Sequence, residues 1–114
     1  DVLAASVGTV HGFYRAEPNL DFKLIEELRI RCGVPLVMHG GSGLSREDTR
    51  AAIRAGIRKI NYFSYMSNAG VRAVEALIAE EHPKYFHALA NAATAAMQAD
   101  AEAAMDMFSM APSA

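Results

Sequence analysis

Two short segments of this chain put a histidine where an apolar run ends and glycines begin. The first is Gly8-Thr9-Val10-His11-Gly12, and the second is Met38-His39-Gly40-Gly41-Ser42-Gly43. A neutral imidazole is a good metal ligand, and adjacent glycines let backbone N–H groups close on an anion, so the pair points to a metal ion and a phosphate in one pocket. A single His-Gly carries no such meaning, because an isolated histidine there can equally cap a helix or fill a core. His82 and His87, on either side of Pro83, read as surface residues.

For two such segments to meet, each histidine must come from the end of a strand. Val2 to Val7, Pro35 to Met38 and Lys59 to Phe63 are nearly continuous apolar runs, the pattern of strands covered on both faces. Between them the pattern is helical. Asp21 can cap a helix in which Leu24, Ile25 and Leu28 share one face while Lys23, Glu26 and Glu27 face water, and Gly33 suits its end. Ser45-Arg46-Glu47-Asp48 has the form of a capping box, with Asp in place of Glu or Gln, and opens a helix that carries Ile53 and closes at Gly56.

Beyond the third strand the chain is helical. Val71, Val74, Leu77 and Ile78 form an apolar stripe, Pro83 interrupts it, and Phe86, Leu89, Ala93, Met97 and Phe108 continue it on an alanine-rich helix. The methionines read as core filling or oligomer contacts, Cys32 as a small buried hydrophobe, and Ser109 to Ala114 as a frayed tail. The expected organisation is one domain: residues 1–64 carry the strands and the site, 65–108 the C-terminal helices, and 109–114 the tail.

Strands that alternate with helices pair in parallel, so their C-terminal ends share one side of the sheet. Those ends carry His11, His39 and the Asn61 to Ser64 segment. A doubly wound open sheet would also gather them, but the Gly-x-Gly-x-x-Gly turn expected there is missing. The pattern therefore predicts an α/β fold, a (β/α)8 TIM barrel of which this chain is the C-terminal part.

Composition narrows the partner. With 114 residues and 52% hydrophobic content the chain has the size of one globular domain, and a formal charge of −2 provides no basic face for nucleic acid. One cysteine precludes an internal disulfide, and no stretch approaches the ~20 apolar residues of a membrane span. No signal peptide is visible. A soluble cytoplasmic protein with a small-molecule partner is expected. The chain opens on Asp1, without a methionine, and runs at once into a strand, so it reads as a piece of a longer protein. Three strands cut from an eight-stranded barrel leave two unpaired edges, and such a piece should be unstable alone.

Several segments carry a resemblance. Asp1-Val2-Leu3-Ala4, Gly8-Thr9-Val10-His11-Gly12, Tyr14, Leu20-Asp21-Phe22, the run from Pro35 to Ser45 and Gly56-Ile57-Arg58-Lys59-Ile60-Asn61 together resemble the C-terminal part of the class II, zinc-dependent ketose-bisphosphate aldolases. Fructose-bisphosphate and tagatose-bisphosphate aldolases are the known members. The resemblance covers essentially the whole chain, and the two histidine motifs, in this order and spacing, make it specific.

What the resemblance implies is an aldol cleavage or condensation that yields or consumes dihydroxyacetone phosphate and an aldehyde. His11 and His39 would be two of three zinc ligands. Gly12, Gly40, Gly41 and Ser42 would bind the phosphate, with a monovalent cation, Na+ or K+, beside it. Asn61 would contact the triose as a catalytic residue, and Ser64 would add a hydroxyl at the phosphate. In such an enzyme Zn2+ stabilises the enediolate of the substrate as a Lewis acid, and the fixed phosphate sets the geometry of the reacting carbons. The resemblance also implies carbohydrate metabolism, in the manner of glycolysis, by a homo-oligomer, dimer or tetramer.

The chain departs from the family pattern in three places. The third histidine and the proton-transferring aspartate belong to earlier strands outside this sequence. The segment Asn61-Tyr62-Phe63-Ser64 replaces a usual Asn-Ile-Asp-Thr or Asn-Val-Ala-Thr. No clear counterpart of the basic residue for a second phosphate is present, Arg72 being a weak match. Two other readings therefore stand beside the aldolase: a non-catalytic phosphate- or metal-binding barrel fragment, and another phosphate-binding TIM-barrel enzyme.

Overall fold

The computed structural model describes residues 1–9, 12 and 18–110. The chain falls into two compact units, Asp1–Tyr62 with the chain from Met107 onward, and Phe63–Asp106.

The first unit holds a parallel three-stranded sheet in the order β1 (Leu3–Ala4), β2 (Leu36–Met38), β3 (Ile57–Ile60), with helices α1 (Phe22–Cys32) and α2 (Arg46–Ala55) between successive strands. The helix boundaries follow local chemistry. The Asp21 carboxylate accepts the Leu24 N–H at 2.9 Å and begins α1, which ends at Gly33 in the left-handed conformation. Ser45 Oγ accepts the Asp48 N–H at 3.0 Å and donates to Asp48 Oδ2 at 2.7 Å. In place of the usual reciprocal bond to a backbone amide, the shorter Asp side chain closes onto the serine hydroxyl. Gly56 ends α2 as expected, donating to the carbonyls of Ala52 and Ile53.

Along β2, Leu36 and Met38 face one way and Val37 and His39 the other. The first pair joins Ile57, Ile25, Ala52, Ala55, Val7, Leu20 and Leu44 in one buried core. Burial of a side chain such as Ile25 or Leu36 contributes about 1.5–3 kcal/mol. This layer of helix against sheet fixes the position of everything on the other face.

The third strand differs from expectation at both ends. It starts at Ile57 directly after the Gly56 cap and stops at Ile60, so Asn61, Tyr62 and Phe63 follow the strand. Leu36 pairs with Ile57 but Val37 pairs with Lys59, which leaves Arg58 as an inserted bulge residue. The Arg58 guanidinium turns back to donate to the carbonyls of Ile53 at 2.9 Å and Ile57 at 2.8 Å. A bulge re-aims the residues after it. Here Ile60 packs against the core side, and Lys59 and Asn61 fall on the Val37 and His39 face.

Cys32 is exposed, contrary to the expectation of burial. It occupies the last turn of α1, beyond the stretch that Ile25 anchors on the sheet. Where α4 ends, Phe108 meets the Tyr62 ring edge-on, with centroids 5.9 Å apart.

The second unit contains α3 (Ser64–Glu81) and α4 (Phe86–Phe108) as far as Asp106. They meet through small residues. A Cβ on Gly70 would lie 3.0 Å from both Cγ and Sδ of Met97 and 3.6 Å from the Ala93 carbonyl oxygen, so a larger residue there would require Met97 to shift. Met97 fills the gap as a flexible side chain can. The expected apolar stripe is only partly covered: Val71 and Ile78 are about half exposed and Phe86 largely so, whereas the fully buried positions are Gly70 and Ala104. His82 and His87 are exposed, as expected, with His87 stacked on Tyr85. Among the described residues no helix is long and apolar enough to cross a membrane.

Candidate functional site

His39 stands one residue past the end of β2, on the face opposite the helix layer, and its ring is exposed. Asn61 stands one residue past the end of the neighbouring β3, and its N–H donates to the Met38 carbonyl at 2.9 Å. That bond extends the parallel ladder by one step and sets the two side chains next to each other. Asn61 Nδ2 lies 3.2 Å from Nδ1 and 3.4 Å from Nε2 of His39. Near-equal distances to both ring nitrogens place Nδ2 out of the imidazole plane, so the contact seats the carboxamide on the ring without using an in-plane lone pair.

The other end of the Asn61 amide is also held. Lys59 Nζ donates to Asn61 Oδ1 at 2.6 Å. An ammonium has no acceptor, so it fixes which amide atom faces it and leaves Nδ2 for the histidine. Lys59 is not among the residues that the motifs single out. Its two-residue spacing to Asn61, which puts both on one face of an extended chain, is the only sequence signal for it.

The glycine turn after His39 is pinned to the same strand end. Gly41 N–H points at the Asn61 carbonyl oxygen at 3.3 Å, and a Cβ at Gly41 would overlap Ile60 Cγ2 and stand 3.2 Å from that oxygen. Glycine is therefore required by close approach rather than by a positive φ. Gly40 and Gly43 have φ of 67° and 88°, and the Ser42 side of the turn is buried, with Ser42 only 3% exposed. A tight turn with successive small residues against a strand end is the kind of backbone that can cradle an anion.

Of the other expected site residues, His11 lies outside the described residues, as does Tyr14. Gly12 has φ 86°, with open space around the position a Cβ would take. Ser64 is the first residue of α3 and belongs to the second unit, as does Arg72, which is exposed on α3. Phe63 precedes that helix and is 65% exposed. Among the described residues no group of three potential metal ligands occurs; of the two histidines expected to bind metal, His39 is the one described. A recess of about 250 Å3 lined by Ile53, Ile57, Arg58, Ile60 and Phe108 contains neither His39 nor Asn61. Its isoleucines from β3 belong to the helix side of the sheet, so it is separate from the candidate site.

Comparison with known structures places the fold. The chain superposes on the YdjI aldolase from Escherichia coli K12 with a TM-score of 0.83 and 34% identity, covering 95% of this chain and 39% of that one. A candidate fructose-1,6-bisphosphate aldolase from Coccidioides immitis gives a TM-score of 0.80 and 28% identity, over 96% of this chain and 38% of that one. The fructose-bisphosphate aldolase of Campylobacter jejuni shares the fold with a TM-score of 0.75 at 19% identity, over 93% of this chain and 39% of that one. The chain thus spans about two fifths of the length of these proteins, and its three strands and flanking helices form a partial TIM barrel. Residues 1–112 match the model of the class II fructose-bisphosphate aldolases, and the chain belongs to that family.

Proposed function

We infer that this chain supplies part of the active site of a zinc-dependent aldolase, which cleaves a ketose phosphate or bisphosphate to dihydroxyacetone phosphate and an aldehyde, or joins the two. The observation that carries this reading is the pairing of the His39 ring with the Asn61 amide at adjacent parallel strand ends, beside a glycine turn pinned to the second strand. The donor chemistry suits zinc: an accessible imidazole needs only its lone pair, and His11 would supply a second. Bound there, Zn2+ would act as a Lewis acid on charge developing at the substrate oxygens.

The chain's own residues would do the positioning. Asn61 Nδ2, which stands against the His39 ring, would donate to a substrate oxygen. Gly40 and Ser42 offer the phosphate a backbone N–H and a hydroxyl, and Gly41 holds the turn against β3. Gly12, with nothing within 4 Å of the position a Cβ would take, would admit a close approach of the phosphate. Carbonyl oxygens of the same turns would take a Na+ or K+ ion. The remaining imidazole and the proton-transferring carboxylate would come from the other strands of the barrel. Action as a homo-oligomer in cytoplasmic carbohydrate metabolism belongs to the same proposal.

Metal removal tests it. In the intact protein, release of dihydroxyacetone phosphate from a ketose bisphosphate should stop on treatment with a chelator and return with added Zn2+. Cleavage that continues unchanged after the metal has been stripped would exclude this mechanism.

A further inference from the structure

We propose that Lys59 is a positioning residue that sets the orientation of the Asn61 carboxamide, and through it the donor that faces His39 and the substrate. The proposal rests on the reading of His39 and Asn61 as site residues, and it adds to that reading a third residue and a task.

The bulge at Arg58 decides which face Lys59 occupies. Without the extra residue at Arg58, regular alternation from Ile57 would put Lys59 and Asn61 on the helix side of the sheet. With it, Lys59 pairs with Val37, and Lys59 and Asn61 follow one another on the His39 face. A carboxamide can present either its oxygen or its nitrogen in a given direction, and the two ends are nearly the same shape. A neutral imidazole can meet either end, since it carries one donor and one acceptor. Lys59 fixes the orientation from the other end: its ammonium only donates, and at 2.6 Å it engages Oδ1, so Nδ2 is the end that faces His39. Such a bond to a charged group is stronger than one between neutral partners. The consequence for catalysis is that a donor, not an acceptor, stands beside the metal ligand when the substrate arrives. An amide turned the other way would set its carbonyl oxygen against the substrate oxygens.

The experiment compares wild type, Lys59→Met and Lys59→Arg in the intact, zinc-loaded and metal-free protein, with Lys59→Gln used where Lys59→Met does not fold. Two readouts are combined: the nuclear Overhauser contact between the Asn61 side-chain NH2 and the His39 ring in the metal-free form, and kcat of the loaded enzyme. The expected result is loss of the contact in Lys59→Met, with kcat down about tenfold, the lower end of what outer-shell partners contribute. Zinc content should stay unchanged, because Lys59 touches no ligand directly, and Lys59→Arg should restore both readouts. Persistence of the contact in Lys59→Met, or a kcat equal to wild type despite its loss, overturns the proposal. If the contact depends on Lys59 but the wild-type protein cleaves no ketose phosphate, the aldolase reading fails while the hold of Lys59 on Asn61 stands.

Discussion

His39→Ala is expected to lower aldol cleavage by about a thousandfold in the intact protein, since the several kcal/mol by which a metal stabilises developing charge correspond to rate factors of that order. The side chain is exposed and lies one residue beyond the strand, so its removal leaves the buried layer of Leu36, Met38, Ile57 and Ile25 untouched. Folding should survive while chemistry does not. The unfolding midpoint in urea and the initial rate of dihydroxyacetone phosphate release separate the two: an unchanged midpoint with a collapsed rate is expected. A rate within a few-fold of wild type would show that His39 does no more than pack against the Asn61 carboxamide.

Gly41→Ala should damage both stability and substrate binding. The added methyl group would collide with Ile60 Cγ2, part of a β-branched side chain with little rotamer freedom, and would press on the Asn61 carbonyl oxygen. Ile60 packs against the core, so it cannot swing aside without disturbing that layer. Overpacking of this kind costs about 1–3 kcal/mol. Relief would come from pushing the turn off β3, which breaks the Gly41 to Asn61 bond and carries Gly40 and Ser42 with it. KM for the phosphorylated substrate should rise about tenfold, equivalent to about 1.4 kcal/mol, with kcat less affected. Thermal unfolding and steady-state kinetics check the two parts, and an unaltered KM would detach this turn from the phosphate.

The helix ends were legible because each is set by one or two local side chains. Asp21, Ser45 with Asp48, Gly33 and Gly56 act within a single turn and need no knowledge of the rest of the fold. The approach of His39 to Asn61 was legible at one remove, since parallel pairing brings strand ends together whatever lies between. The bulge was not. Ile57-Arg58-Lys59-Ile60 alternates imperfectly in sequence, and only the pairing with Leu36 and Val37 reveals that Arg58 is the inserted residue. The role of Lys59 depends on that insertion, and a lysine near a strand otherwise reads as a solvated charge. The second unit shows another limit: a stripe such as Val71, Val74, Leu77 and Ile78 marks an apolar face, but Gly70 opposite Met97 decides where the helices touch. Cys32 follows the same logic, because helical spacing gives its direction and not how far the sheet extends beneath it.

The central claim is that His39 is a zinc ligand of an aldolase site, and the zinc content of the intact protein tests it most directly. Wild type, dialysed against metal-free buffer after loading, should retain about one zinc per subunit, as a site with three imidazole ligands would. His39→Ala, folded to the same extent, should retain almost none. Equal zinc in the two proteins would contradict the account.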